Sequence, residues 1–216
     1  NPRIIADCAD ASREAGSKVR AKELYTELIR WHPRAVEVER AYAGLGFLAE
    51  TAGEWQAALD NYARFEKRAV SMDLIPRVAL RKAALLGDHR KISEATEIYK
   101  GLLSDKLTPT RAKAEALLAW GGLLEKQNQL LPATAYYERV YVGYGRHLDL
   151  VAKAYLARAK ALEKLGKKRE AHEVYAECSR TAALTAFPEF TAAEQRMREL
   201  GPLPPAPVNE AKVKET

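Results

Sequence analysis

An all-α solenoid of about five helix–turn–helix repeats, closed by one capping helix, is the fold this sequence predicts. Three observations predict it. An Ala followed four residues later by a Tyr returns five times, as Ala21/Tyr25, Ala58/Tyr62, Ala95/Tyr99, Ala133/Tyr137 and Ala171/Tyr175, at intervals of 37 or 38 residues. A fixed period of this size marks an array of supersecondary units. Four of the copies place a Gly or Asn five residues before that Ala: Gly16, Gly53, Asn128 and Gly166. Both residue types tolerate the left-handed backbone that ends a helix. The composition, 47% hydrophobic and 30% charged over 216 residues, suits a folded array rather than a disordered chain.

The elements follow in order. Residues i and i+4 share one helix face, so each Ala–Tyr pair sets a small and a large side chain in line: one for close approach, one to fill the layer. The repeats run over 2–38, 39–75, 76–113, 114–151 and 152–185, each a helix, a tight turn and a second helix. Pro33 closes the first, as a residue that cannot continue a helix. In the third, a helix opening at Pro76 with "LGD" at 86–88 as its turn predicts a shorter first helix and a longer connector. Residues 186–201 form a capping helix stopped by Gly201, since arrays need a terminal element with a polar outer face. The last segment, "PLPPAPVNEAKVKET", carries four prolines in six residues and reads as an extended tail over 202–216.

These marks resemble the tetratricopeptide repeat (TPR), whose pattern is W-x₂-L-G-x₂-Y, then A-x₃-F, then P. The second repeat supplies Tyr42, Leu45, Gly46, Gly53, Trp55, Ala58 and Tyr62; the fourth supplies Leu117, Trp120, Gly121, Leu124, Asn128, Ala133 and Tyr137. The resemblance implies a right-handed superhelix whose first helices line a concave groove that binds a protein segment. The period is three or four residues longer than usual. In this it is similar to bacterial envelope TPR proteins of the Tol–Pal-associated and outer-membrane assembly kinds, which implies a periplasmic or envelope location.

Catalytic and metal-binding patterns are missing. The four histidines, His32, His89, His147 and His172, form no ligand spacing; "HEVYA" at 172–176 lacks the second His of H-E-x-x-H. "GYG" at 143–145 has neither the third Gly nor the acidic residue of a dinucleotide fingerprint. No phosphate-binding loop and no nucleophile elbow occurs. Cys8 and Cys178 are expected on internal helix faces as small apolar residues. The sequence therefore predicts no enzyme, no metal and no cofactor. The excess of 35 Lys and Arg over 29 Asp and Glu is interspersed rather than striped, which argues against nucleic acid. No apolar run reaches the roughly 18 residues of a membrane span.

Function is then expected on the first helices, rotated off their packing face. Helical phase places Arg40, Phe47 and Glu50 there in the second repeat, with Arg77 and Arg81 in the third. Leu118 and Gly122 follow in the fourth, and Lys153 and Lys160 in the fifth. The expected partner is an acidic peptide or protein segment, because a guanidinium pairs a carboxylate bidentately. Chaperone-binding TPR domains use a two-carboxylate clamp of Lys, Asn, Asn, Lys and Arg. Arg77 and Arg81 match only its last pair, and Ala6, Asp10 and Gly44 fill the earlier places, so the complete clamp is absent. The alternatives are a structural subunit that self-associates through an end or convex face and, lower, an RNA-contacting repeat protein.

Overall fold

The computed structural model describes residues 1–201, which contain eleven α-helices. Five antiparallel hairpins follow one another: α1 (Pro2–Glu14) with α2 (Lys18–Trp31), α3 (Val38–Thr51) with α4 (Trp55–Glu66), α5 (Leu74–Asp88) with α6 (Ile92–Ser104), α7 (Thr110–Lys126) with α8 (Leu130–Gly143), and α9 (Leu148–Lys164) with α10 (Lys168–Arg180). A short 3₁₀ turn (Ala182–Leu184) leads to α11 (Pro188–Leu200). The chain forms two compact units, residues 1–116 and residues from 117 on, and the division falls inside α7.

The recurring Ala–Tyr pairs are the centres of the packing. All five alanines and all five tyrosines are buried. Burying a large side chain contributes on the order of 1.5–3 kcal/mol, and a tyrosine also brings a hydroxyl that needs a partner. Each of four hydroxyls donates to a carboxylate. Tyr62 bonds Glu50 at 2.6 Å, Tyr137 bonds Glu125 at 2.7 Å, Tyr175 bonds Glu163 at 2.6 Å, and Tyr25 bonds Asp10. A cation from a later helix shares each carboxylate. Arg40 bonds Asp10 at 2.6 Å, Arg81 bonds Glu50 at 2.9 Å, Lys164 reaches Glu125 at 3.4 Å, and Arg196 bonds Glu163 at 2.5 Å. A hydrogen bond to a charged group is worth about 1.5–3 kcal/mol, so these triads satisfy the tyrosine and tie one hairpin to the next helix.

Three helix glycines lie against these rings: Gly44 against Tyr25, Gly46 against Tyr62 and Gly121 against Tyr137. A Cβ on Gly46 would lie 2.6 Å from Tyr62 Cδ1 and closer still to Cε1; one on Gly121 would lie 2.8 Å from Tyr137 Cδ1. No carbon fits there, so the first helices of the second and fourth hairpins carry hydrogen where the Tyr62 and Tyr137 rings seat, whereas Ala9, Ala83 and Ala159 hold the equivalent place in the other three.

All five hairpin turns share one geometry. Gly16, Gly53, Asn128 and Gly166 have positive φ, as their residue types predict. The following residue donates its N–H to the carbonyl five positions back, for example Glu54 to Ala49 at 2.9 Å. In the third hairpin Arg90 takes that place with φ 62, and Lys91 bonds Leu86 at 2.9 Å. This corrects the reading of that repeat. Its first helix opens at Leu74, runs 15 residues, and includes Leu86–Asp88 as its last turn. The connector is three residues, no longer than the others, because arginine can be held left-handed when the closing bond is made.

Cys178 is buried, but Cys8 is exposed. Its face of α1 has no earlier hairpin against it among the described residues, which corrects the expectation of two internal thiols. Burial pushes the Cys178 thiol up to about 11. In the second unit α11 packs on α9 and α10 through Ala193, Phe190 and Met197 and ends at Gly201 with φ 72. The tail expected at 202–216 lies outside the described residues.

Candidate functional site

Within the first unit, one cluster is cationic and stands over an aromatic side chain. Phe47 sits on α3 with 6% of its surface exposed. Three guanidinium carbons lie over its ring: Arg81 at 5.0 Å, Arg77 at 5.2 Å and Arg13 at 5.6 Å from the centroid. Helical spacing explains the convergence. Arg77 and Arg81 are i and i+4 on α5, and Phe47 is one turn before the Glu50 that anchors Arg81. Like charges at that spacing cost about 0.2–0.5 kcal/mol, whereas a guanidinium over a ring returns about 0.5–1 kcal/mol at an exposed site. The ring thus makes the cluster affordable while leaving its charge uncancelled.

The cations differ in what else they hold. Arg81 is shared with Glu50, and Arg13 bonds the Tyr25 hydroxyl at 3.3 Å and pairs with Glu14 at 3.0 Å. Arg77 is exposed and has no ion pair among the described residues, and the same is true of Lys18. Lys18, Arg13, Arg77, Arg81, Phe47 and Thr51 together line one cleft. Four cations line it and no carboxylate does; Glu14 and Glu50 are the ion-pair partners of Arg13 and Arg81, and Asp10 and Asp73 lie in the adjoining cleft with Arg13, Arg77 and Phe47. Such a cleft can accept an anion, and a carboxylate would find planar forks to pair with.

The other expected residues fall as follows. Arg40 is a neighbour of the cluster, but it is committed to Asp7 at 2.8 Å and to Asp10. Glu50 accepts from both Tyr62 and Arg81, so it orients the site from beneath. Phe47 is the covered floor of the cluster. In the second unit Leu118 and Gly122 are half-buried on α7, and a Cβ on Gly122 would lie 4.0 Å from the Tyr137 hydroxyl, so packing does not require glycine there. Lys153 and Lys160 are exposed on α9, without ion pairs among the described residues. With Leu156, Lys164, Glu125 and Glu189 they line a second basic cleft.

Arg13 and Lys18 belong to the first cluster and were not foreseen. A signal for Arg13 exists: the place twelve residues before each recurring Tyr holds Glu50, Glu125 and Glu163 in three repeats and Arg13 in the first. Among the described residues no group of three His, Cys, Asp or Glu side chains could hold a metal. Among the described residues no helix is long and apolar enough to cross a membrane.

No protein-family model and no curated protein sequence matches the chain. A solved structure does: PilF of Pseudomonas aeruginosa, a TPR-containing protein. The TM-score is 0.62 at 16% identity, over 93% of this chain and 92% of that one. The chain therefore has a TPR-like, all-α helical repeat fold.

Proposed function

We propose that this TPR-like chain is a non-enzymatic interaction scaffold that holds an acidic peptide or protein segment at the cationic cleft of its first unit. The observation that carries the reading is the convergence of Arg13, Arg77 and Arg81 on the Phe47 ring, with Arg77 and Lys18 unpaired. Arg77 and Lys18 make the first contact with the ligand's carboxylates. Arg81, held by Glu50, sets the depth at which a second carboxylate is met. The lysines of the second unit, Lys153 and Lys160, extend the preference for acidic ligands, with Leu118 and Gly122 as apolar and open positions.

The test uses labelled peptides rich in Glu and Asp, with Gln and Asn counterparts, and follows fluorescence anisotropy at two salt concentrations. The charge reversals belong at Lys18→Glu and Arg77→Glu, because reversing Arg81 would also break the Glu50–Tyr62 triad. The acidic peptide should bind, the neutral one should not, and the double variant should bind at least tenfold more weakly while keeping its helix content. Equal binding by wild type and variant, or none by either, would refute the reading. A concentration-dependent dimer without peptide binding would point instead to a self-associating structural subunit.

A further inference from the structure

A second surface lies on the first unit, remote in kind from the cationic cleft. Hairpin topology places the turns 15–17, 52–54 and 89–91 at one end of that unit and the connectors 32–37, 67–73 and 105–109 at the other. Eight large apolar side chains of the unit are exposed, and all but Val19 sit at the connector end. Trp31 is 63% exposed, Val36 60%, Val70 62%, Met72 52% and Leu107 70%. A random scatter of exposed apolar residues needs no explanation; this segregation to one end does.

The connectors are held in place. Glu39 is buried and accepts the N–H groups of Val70 and Ser71 at 2.6 and 3.2 Å. Arg68 donates to the Pro33 carbonyl at 2.7 Å, joining the first two connectors. Asp105 accepts from the Leu107 N–H and the Thr108 hydroxyl at 3.1 and 2.8 Å. The polar groups of these loops are thus used inward, and their aliphatic side chains are left outward.

The charge at this end is biased. Arg34, Lys67 and Lys106 are exposed and without ion pairs among the described residues, as are Arg30, which lies over Trp31, and Arg68. Against these five cations stand four carboxylates: Glu37 and Asp73, which have no ion pair among the described residues, the exposed Asp105, which keeps its charge while accepting from the backbone, and the buried Glu39, so the exposed charge is net positive. Exposed aliphatic and indole groups interleaved with free cations match the boundary of an anionic bilayer, where apolar tips enter below the headgroups and Lys and Arg meet phosphates. We infer that the connector end of the first unit docks on an anionic membrane surface, with Trp31, Val36, Val70, Met72 and Leu107 entering the interface.

The experiment is flotation of the full 216-residue chain with vesicles of phosphatidylcholine alone or of an equimolar mixture with phosphatidylglycerol. Binding is expected only to the anionic vesicles and should weaken with salt. A cation contributes about fivefold at such a surface, so Arg34→Gln/Lys67→Gln/Lys106→Gln should lose on the order of a hundredfold. Val36→Ser/Val70→Ser/Met72→Ser should lose at least tenfold, while Val19→Ser, the same change at the turn end, should lose nothing. Circular dichroism checks that each variant is folded. The inference is overturned if neither vesicle binds, if both bind alike, or if Val19→Ser matches the triple variant. It is equally overturned if the wild type ignores vesicles but self-associates in a manner that the Val36/Val70/Met72 variant abolishes.

Discussion

Substituting alanine for glycine at two helical positions should give opposite signs. At Gly46 the new methyl would stand 2.6 Å from Tyr62 Cδ1 and closer to Cε1, against a ring with no exposed surface. Overpacking of a closed core costs about 1–3 kcal/mol, and the gain in helix propensity returns about 1 kcal/mol. The clash is with a rigid ring held at its far end by Glu50, so the upper half of that range applies. Gly46→Ala should therefore lose about 1–2 kcal/mol net. Gly101, exposed on α6, has nothing within 4 Å of its would-be Cβ, so Gly101→Ala should gain up to about 1 kcal/mol. Urea unfolding followed by helical dichroism measures both. The two variants should bracket the wild type, a separation of several degrees in Tm for a chain of this length. Tyr62→Leu should relieve the Gly46→Ala cost, giving a coupling above about 0.5 kcal/mol in the double-variant cycle. Equal shifts for the two alanines, or no coupling, would refute the seating of the ring on Gly46.

Other consequences are as direct. Arg90→Gly should stabilise the third hairpin by about 1 kcal/mol, since glycine avoids the left-handed penalty, and the same urea titration reads it. Burial, reinforced by the Glu50 and Glu163 carboxylates, raises the Tyr62 and Tyr175 hydroxyls above their ordinary 10.0. A raised acid in the fold means stability that is whole below pH 10 and lost as pH climbs past it. The part of the tyrosinate absorbance that Tyr62→Phe and Tyr175→Phe remove should therefore appear together with loss of helix; its appearance near pH 10 with the helices intact would contradict this. The Arg196 guanidinium, against the cost of burial and aided by the Tyr175 hydroxyl, holds Glu163 below its ordinary 4.5. That contribution is present above pH 4.5 and fades as pH falls through the depressed value. Arg196→Gln should thus be less stable than wild type at neutral pH, and the difference should close in acid; parallel curves would remove the pair from α11 docking.

The repeat was legible because packing writes it in residue types. A small residue and an aromatic one turn apart, with glycine at the turn, leave few choices, and Gly16, Gly53, Asn128 and Gly166 stand where they were expected. Arg90 was not legible: arginine has no left-handed preference, and the hydrogen bonds from Arg90 to Gly87 and from Lys91 to Leu86 hold it there. The charged positions were read as a face but not as partnerships. Arg40 and Arg81 occupy the phase expected of ligand-facing cations, yet each is tied to a carboxylate of the preceding hairpin, a pairing some thirty residues apart in sequence that helical phase cannot reveal. Phe47 shares that helical phase, but three guanidiniums cover it. Arg13 escaped because it replaces the glutamate of the other repeats at a position whose meaning emerges only once the tyrosine hydroxyls have partners.

The central claim, that the cluster over Phe47 receives acidic ligands, is tested most directly by titrating the acidic peptide while recording the Nε–Hε resonances of the arginines. Arg77 and Arg81 should shift together and saturably, with Arg13 following, while Arg196, locked on Glu163, stays still. Shifts spread evenly over all arginines, or a silent Arg77 in the presence of bound peptide, would contradict it.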